Sequence, residues 1–339
     1  INVNKILVGK LEKHKEGMNM LKYIVKRIIN LIPVAIIISI LVFVLSKSMP
    51  GDPVLAMMPK DGRMTKAQQE QMYKNLEKRY GYDKSLPEQY FMWMGRSLKG
   101  DFGESTQAKR PVKEYLSEPL KNTILLNIGS TLVSFVLSVL IGIRSAVHKG
   151  GFFDKFFQVF TLVGISLPTF FIGLFLIFLF AFRLGWFPAN GMPRNNTFGE
   201  WVKYLILPTL TLTFGSMASI SRYVRNSMLD SLNEDYIRTA RAKGLKEKTV
   251  IYSHAFRNAL IPVVTAMTWA VLSMFSGSAI TETIFAYRGI GNILIKSVLA
   301  QDYNVILALT MFYAILTLLG NLIMDIAYAL VDPRVKLEA

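Results

Sequence analysis

The chain has 339 residues, of which 52% are apolar or aromatic and 18% charged, with a formal net charge of +16 and no cysteine. Soluble domains carry about 25% charged residues; here long stretches carry none and the segments between them are rich in charge. This pattern excludes a nucleic-acid-binding globule despite the basic excess, a disordered chain, and thiol- or zinc-based chemistry. It is the pattern of a polytopic membrane protein, in which basic residues report topology before they report a ligand.

Residues 1–19 read as an N-terminal extension. The sequence starts at Ile1, Met18 and Met20 lie just ahead of the first apolar run, and Lys15-Glu16-Gly17 can be encoded by a purine-rich stretch like a bacterial ribosome-binding site. Residues 1–17 are therefore expected to be a mis-called start or a disordered extension. A spanning helix needs about 20 mostly apolar residues. Six windows predict spans: 28–46, 123–143, 156–182, 204–220, 260–281 and 305–330. The fourth is the least apolar. Pro168 inside the third predicts a kink or strong tilt. Pro33, Pro208 and Pro262 fall near window ends, where a missing backbone donor costs little. Lys and Arg number seven up to Arg27, three in 144–155, eight in 221–258 and two in the tail, against three in 183–203 and two in 284–304. Both termini are therefore expected in the cytoplasm of a multi-pass cell-membrane protein.

Residues 47–122 form the one long external segment. Thr65 and Gln68 have capping-box spacing, Met72, Leu76 and Tyr80 recur every four residues, and Gly81 stops the helix. Ser85, Pro87 and Glu88 start a second helix, which Gly100 ends. The segment is too small for a large core of its own, so Phe91 and Trp93 are expected on the bilayer interface or on other spans. It either plugs the outer end or docks a partner.

The 221–258 loop is the most informative stretch. Asp235 or Asn233 can cap a short helix over 236–243, and Gly244 ends it in a left-handed turn. A second helix over 246–259 leads into the fifth window. Tyr236 and Ala240 share a face, and a small Ala lets another backbone come close. Such an elbow can seat in a groove of a partner; the plain alternative is that its cations only enforce topology.

These residues resemble the EAA loop of binding-protein-dependent ABC importer permeases. Arg238-Thr239-Ala240 occupies the Glu-Ala-Ala position, Gly244 the glycine, and 258–262, from Asn258 to Pro262, the distal end. The Arg in place of Glu and the longer spacing from glycine to proline are similar to the dipeptide/oligopeptide/nickel branch, where Arg-Thr-Ala-Arg-Ala-Lys-Gly is usual. Pro50-Gly-Asp-Pro53, the 80–90 stretch with Trp93, Gly100-Asp-Phe-Gly-Glu-Ser105, the 184–191 stretch, Thr281-Glu-Thr-Ile-Phe285 with Gly289-Ile-Gly291, and Asp332-Pro-Arg-Val335 follow in the order of that branch. The similarity covers about residues 20–337.

The resemblance implies an all-α membrane fold of the type I ABC importer permease, with six transmembrane helices, a core over 123–337 and a cytoplasmic coupling helix. The coupling residues it implies are Asp235, Tyr236, Arg238, Thr239, Ala240, Arg241, Ala242, Lys243, Gly244, Asn258 and Pro262. It also implies a second related permease, two ATPase subunits that bind ATP and Mg, and an external binding protein that delivers peptide; nickel or another small solute is the alternative cargo. The residues are consistent with dependence on partners. The sequence contains no Gly-x-x-x-x-Gly-Lys-[Ser/Thr] loop and no catalytic pair or metal set within the spans, so the chain is expected to be a non-enzyme that binds no cofactor of its own. His14, His148 and His254 read as ordinary surface histidines. A secondary transporter or channel would predict inverted repeats or broken mid-membrane helices, and none is visible.

Ser130, Ser134, Ser138 and Gly142 form a small-residue stripe along the second span, suited to helix packing or to lining a path. Ala266, Ala270, Ser273 and Gly277 form a similar face on the fifth, and both uses stay open there. Glu282 at the outer end of the fifth span and Asp325 near the inner end of the sixth are too far apart to pair. Asn321 and Asp325, one turn apart, are expected to hold neighbouring helices by hydrogen bonds.

Overall fold

The computed structural model describes residues 3–59, 64–259 and 278–331, with side chains from residue 22 to residue 326 of these. Among them all regular structure is helical, apart from one isolated bridge between Glu104 and Pro111. The fifth expected span lies almost wholly outside the described residues, and with it Pro262, Ala266, Ala270, Ser273 and Gly277. The closing motif from Asp332 does too.

Helix α1 (Val3–Lys47) carries the first span in its second half. The next segment folds as α2 (Pro53–Met57), α3 (Lys66–Tyr80) and α4 (Leu86–Leu98). The caps are those expected. Gln68 N–H reaches Thr65 Oγ1 at 3.4 Å and Gln68 Oε1 accepts from Thr65 N–H at 2.9 Å. Gly81 sits at φ +73°, and Glu88 accepts from Ser85 N–H at 3.2 Å. The hairpin of α3 and α4 leans on α1. Tyr90 hydroxyl bonds Ser39 at 2.7 Å, and the Trp93 ring lies 5.7 Å from that of Phe43. Trp93 thus rests on a span, whereas Phe91 stays 71% exposed.

Helix α5 (Val112–Val147) is followed by α6 (Phe152–Ser166) and α7 (Thr169–Leu176), the latter running on as a π-helical stretch, Ile177–Arg183. The third window, expected as one kinked span, is instead two arms bent by 106° relative to each other. Pro168 sits at the corner in extended backbone, because its ring removes a helical donor and pushes Leu167 out of the α region. Helix α8 (Phe198–Leu232) continues well past the fourth window at both ends. Pro33 and Pro208 therefore lie inside α1 and α8 rather than near their ends. Beyond α8 come α9 (Asp235–Ala242) and α10 (Glu247–Thr249), which passes through a π-helical stretch, Val250–Ala255. Helices α11 (Ala279–Ile284), α12 (Ile290–Leu299) and α13 (Tyr303–Val331) complete the described fold. Among the described residues four helices are long and apolar enough to cross a membrane, and the bent pair of α6 and α7 makes a further candidate.

Helices α5 and α8 make the most extensive contact among the described residues. The small-residue stripe is the reason. Ser130, Ser134, Ser138 and Gly142 are all buried. A Cβ on Gly142 would lie 2.6 Å from Val224 Cγ1 and 2.9 Å from the Ser221 carbonyl oxygen. Backbones this close can trade hydrogen bonds: Thr213 Oγ1 donates to the Ser130 carbonyl at 3.3 Å, and Ser138 Oγ to that of Met217 at 3.4 Å. The α6 arm seats Gly164 against Ala218, and the α7 arm seats Gly173 against Thr211. At the loop end of the pair, Arg225 holds Asp154 in a bidentate ion pair, Nε to Oδ1 at 2.6 Å and Nη2 to Oδ2 at 2.8 Å. Asp154 is fully buried and also accepts from Gly150 N–H at 2.9 Å. Helix α1 packs along α13, where Arg27 meets Asp325 at 3.1 Å.

Two stability outcomes follow from this packing. Gly142→Leu overpacks the α5–α8 contact and should cost about 1–3 kcal/mol or more, read as a lower thermal midpoint of the purified chain in detergent. Asp154→Asn removes the carboxylate that neutralises Arg225, whose side chain is partly exposed, at a cost of about 1–3 kcal/mol. The double variant Asp154→Leu/Arg225→Met should be more stable than Asp154→Asn alone in the same melt.

Candidate functional site

The elbow after α8 is built by local sequence. Backbone at Glu234 is extended, Asp235 opens α9 rather than capping it, and no side chain caps the helix. At the other end both bonds of a Schellman motif are present: Leu245 N–H to the Ala240 carbonyl at 3.4 Å and Gly244 N–H to that of Arg241 at 2.9 Å. Gly244 takes φ +74°, and a Cβ there would meet nothing within 4 Å, so the constraint on this position is purely conformational.

The two faces of α9 do different things. Ile237 and Ala240 are buried and join Ile143, Val224, Met228 and Val250 in one apolar cluster. Ala240, expected to offer a close approach to another protein, therefore faces its own chain. Its small size lets α9 sit down on the Val250–Ala255 stretch, which packs on α8, and close with it over the cluster at the ends of α5 and α8. Tyr236 is 38% exposed, and its hydroxyl bonds Ser231 at 2.6 Å; Ser231 in turn donates to the Ala255 carbonyl at 2.9 Å. Thr239 Oγ1 bonds back to the Asp235 carbonyl at 3.0 Å.

The outward face carries Asp235, Arg238, Thr239, Ala242 and Lys243, all exposed. Arg238 pairs with Asp235 at 3.3 Å, and Arg241 grips Glu247 across the turn at 2.6 and 3.2 Å. Arg241 holds the Glu247 carboxyl below the usual carboxylate range through that hydrogen bond. Both pairs are solvent-exposed and add little stability; the Arg241–Glu247 pair spans the turn and orients its two arms. Asn258 is exposed on the helix that follows, and Pro262 lies outside the described residues.

The residues expected in or near the membrane separate into three places. The stripe from Ser130 to Gly142 is spent on α8, with the Ser134 hydroxyl finding no partner among the described residues. Asp325 reaches a neighbouring helix as an ion pair with Arg27 of α1, while Asn321 is exposed and makes no side-chain hydrogen bond among the described residues. Glu282, expected at a shallow position, is 0% exposed at the centre of a polar knot. Thr123 Oγ1 donates to its Oε1 at 2.7 Å and Asn292 N–H to its Oε2 at 3.0 Å, and Ile290 N–H donates to Thr123 at 2.9 Å. Asn292 Nδ2 reaches the carbonyls of Glu282 and Tyr287 at 3.1 and 2.9 Å. The Gly289-Ile-Gly291 motif is explained here: a Cβ on Gly289 would collide with the Glu282 carboxyl, and one on Gly291 would lie 2.6 Å from Ala279 Cα. The Asp154–Arg225 pair was not visible in the sequence. Its partners are 71 positions apart, and no local spacing links them.

Residues 138–337 match the model of the binding-protein-dependent transport system inner membrane component, and residues 20–127 match the N-terminal model of the same kind of membrane component. The oligopeptide transport system permease protein AppB of Bacillus subtilis is 41% identical over 94% of this chain and 100% of its own length. The glutathione transport system permease protein GsiC of Escherichia coli K12 is 35% identical over 94% of this chain and 99% of its own. A chain of the MetNI methionine ABC transporter in an inward-facing conformation overlays with TM-score 0.49 at 18% identity, covering 62% of this chain and 95% of that one. The family model, the N-terminal match and the full-length relatives coincide on one conclusion: this chain is an all-α membrane protein of the binding-protein-dependent transport system inner membrane component family.

Proposed function

We propose that the chain is the pathway-forming permease subunit of an ATP-driven peptide importer in the cell membrane, with both termini cytoplasmic and the 47–122 segment outside. It pairs with a second related permease. Two ATPase subunits carry ATP and Mg and grip α9, and an external binding protein delivers the peptide. The names of the similar oligopeptide and glutathione permeases support peptide as the cargo.

The observation that carries the reading is the mounting of α9. Its inner face is locked into the α5–α8 cluster while its outer face is polar and free. A helix mounted this way is a handle: force applied to it reaches α8 with little loss, because the buried contacts yield less than solvent-exposed ones. Closure of the ATPases would draw two such handles together, and the attached helices would exchange an inward-open arrangement for an outward-open one. Hydrolysis would reset the pair. The chain itself supplies two arrangements of a path, and the phosphate chemistry belongs to its partners.

Gly244→Val should leave membrane insertion intact but reduce peptide uptake and peptide-stimulated ATPase activity at least several-fold in the assembled importer, because a β-branched residue at positive φ is strained by about 1–2 kcal/mol. Gly244→Asn, which tolerates that region, should retain most of both. Near-normal uptake in the Val variant would overturn the handle assignment. The two faces of α9 should also separate: Arg238→Glu should weaken co-purification of the ATPases without lowering the yield of folded chain, whereas Ala240→Leu should lower the yield itself.

A further inference from the structure

On the segment assigned above to the outside, α1, α2, α3 and α4 line an open cleft of about 550 Å³, within the range of small-ligand sites. One wall carries Lys47 at the end of α1. Its ammonium bonds Gln89 Oε1 and stands 4.1 Å from the Tyr82 ring centroid and 5.4 Å from that of Phe43. Gln89 is not free to turn away. Both its amide hydrogens are committed, to the Tyr82 carbonyl at 3.2 Å and the Lys84 carbonyl at 2.8 Å. The cation is thus held in a prepared cradle, yet no carboxylate lies within ion-pair distance of it among the described residues. An ammonium has three donors, and one is used.

The other wall carries Glu77, Tyr73 and Asp52. Asp52 is occupied: Oδ1 caps α2 through Val54 N–H at 2.7 Å, and Oδ2 accepts from Tyr73 at 2.9 Å. The Glu77 carboxylate has no hydrogen bond or ion pair among the described residues. One cation and one anion therefore face the same space, each half-buried, without neutralising each other.

We propose that this cleft is a reception site for short peptides, taking the α-carboxylate at Lys47 and the α-ammonium at Glu77. It rests on the peptide reading above and adds a site on the permease itself. Charge complementarity and size select the occupant. A carboxylate completes the donors of Lys47, an ammonium completes Glu77, and the volume suits two or three residues. The aromatic walls of Tyr82 and Phe43 bury side chains of either polarity, so the site recognises the ends and tolerates the middle.

The test uses the full chain with its partner permease in phosphatidylcholine nanodiscs and measures equilibrium binding of radiolabelled tri-alanine, tri-alanine amide and N-acetyl-tri-alanine. Tri-alanine should bind saturably, the amide and the acetylated peptide at least tenfold more weakly. Lys47→Met should reduce tri-alanine binding at least tenfold. Glu77→Gln, which removes the anion from the other wall and breaks no hydrogen bond or ion pair among the described residues, should do the same while the thermal midpoint stays that of the parent. Equal binding of tri-alanine and its amide would overturn the proposal, as would unchanged binding in both variants. Changed phospholipid co-purification in Lys47→Met with tri-alanine binding intact would assign the cleft to a headgroup and overturn it too. Peptide uptake by the assembled importer is measured alongside. Its absence would sink the peptide reading, whereas normal uptake with no tri-alanine binding in the cleft would sink this proposal alone.

Discussion

Two helices surrounded by hydrocarbon gain nothing from the hydrophobic effect by touching, since lipid tails are as apolar as leucine. Their association depends on how closely the backbones approach. In this chain that constraint is met between α5 and α8, where Gly142 brings Val224 and the Ser221 carbonyl within van der Waals contact of its backbone. The other elements hang on this pair. The α6 and α7 arms reach α8 through Gly164 and Gly173, and α9 rests on its end through Ile237 and Ala240. The same chain of contacts makes the elbow a mechanical part rather than a decorated loop.

Polar groups tie other elements onto the pair at both ends. At the α9 end, Asp154 from the start of α6 closes on Arg225 of α8 in a bidentate ion pair. At the opposite end of α5, Thr123 shares Glu282 with Asn292, and Tyr287 hydroxyl bonds the Asn122 carbonyl at 2.8 Å. Buried polar groups are costly when unpaired, so a network in which each carboxylate oxygen finds a donor specifies one arrangement of helices more sharply than apolar contacts alone. Glu282 is best understood in this role. The glycines beside it exist because its carboxyl occupies the space a side chain would need.

The outer hairpin follows a different logic. Its two helices are too short to bury a core, so they use α1 as one: Tyr90 and Trp93 pack on Phe43, and Gln89 reaches across to Lys47. That borrowing leaves a cleft along the seam, with charges on its walls that the fold does not itself consume.

The caps were legible in the amino-acid order because each is decided within about five residues: Thr65 with Gln68, Gly81, Ser85 with Glu88, and Gly244. Hydrophobic run length likewise located α1, α5, α8 and α13, since the cost of exposing backbone in a bilayer leaves a long apolar run little choice but helix. The elbow was legible for the same local reason. Its inward turn at Ala240 was not, because which face of a short amphipathic helix is buried depends on where the ends of α5 and α8 happen to lie. The 106° corner at Pro168 exceeded a kink for a similar reason: proline breaks the backbone, but the angle is set by how the two arms find Ala218 and Thr211 on α8. Local order thus determined what each segment is. Only the packed structure decided what each segment touches, because the pairs that matter, Asp154 with Arg225, Thr123 with Glu282 and Lys47 with Gln89, lie dozens of residues apart and are brought together by helix geometry rather than by sequence spacing.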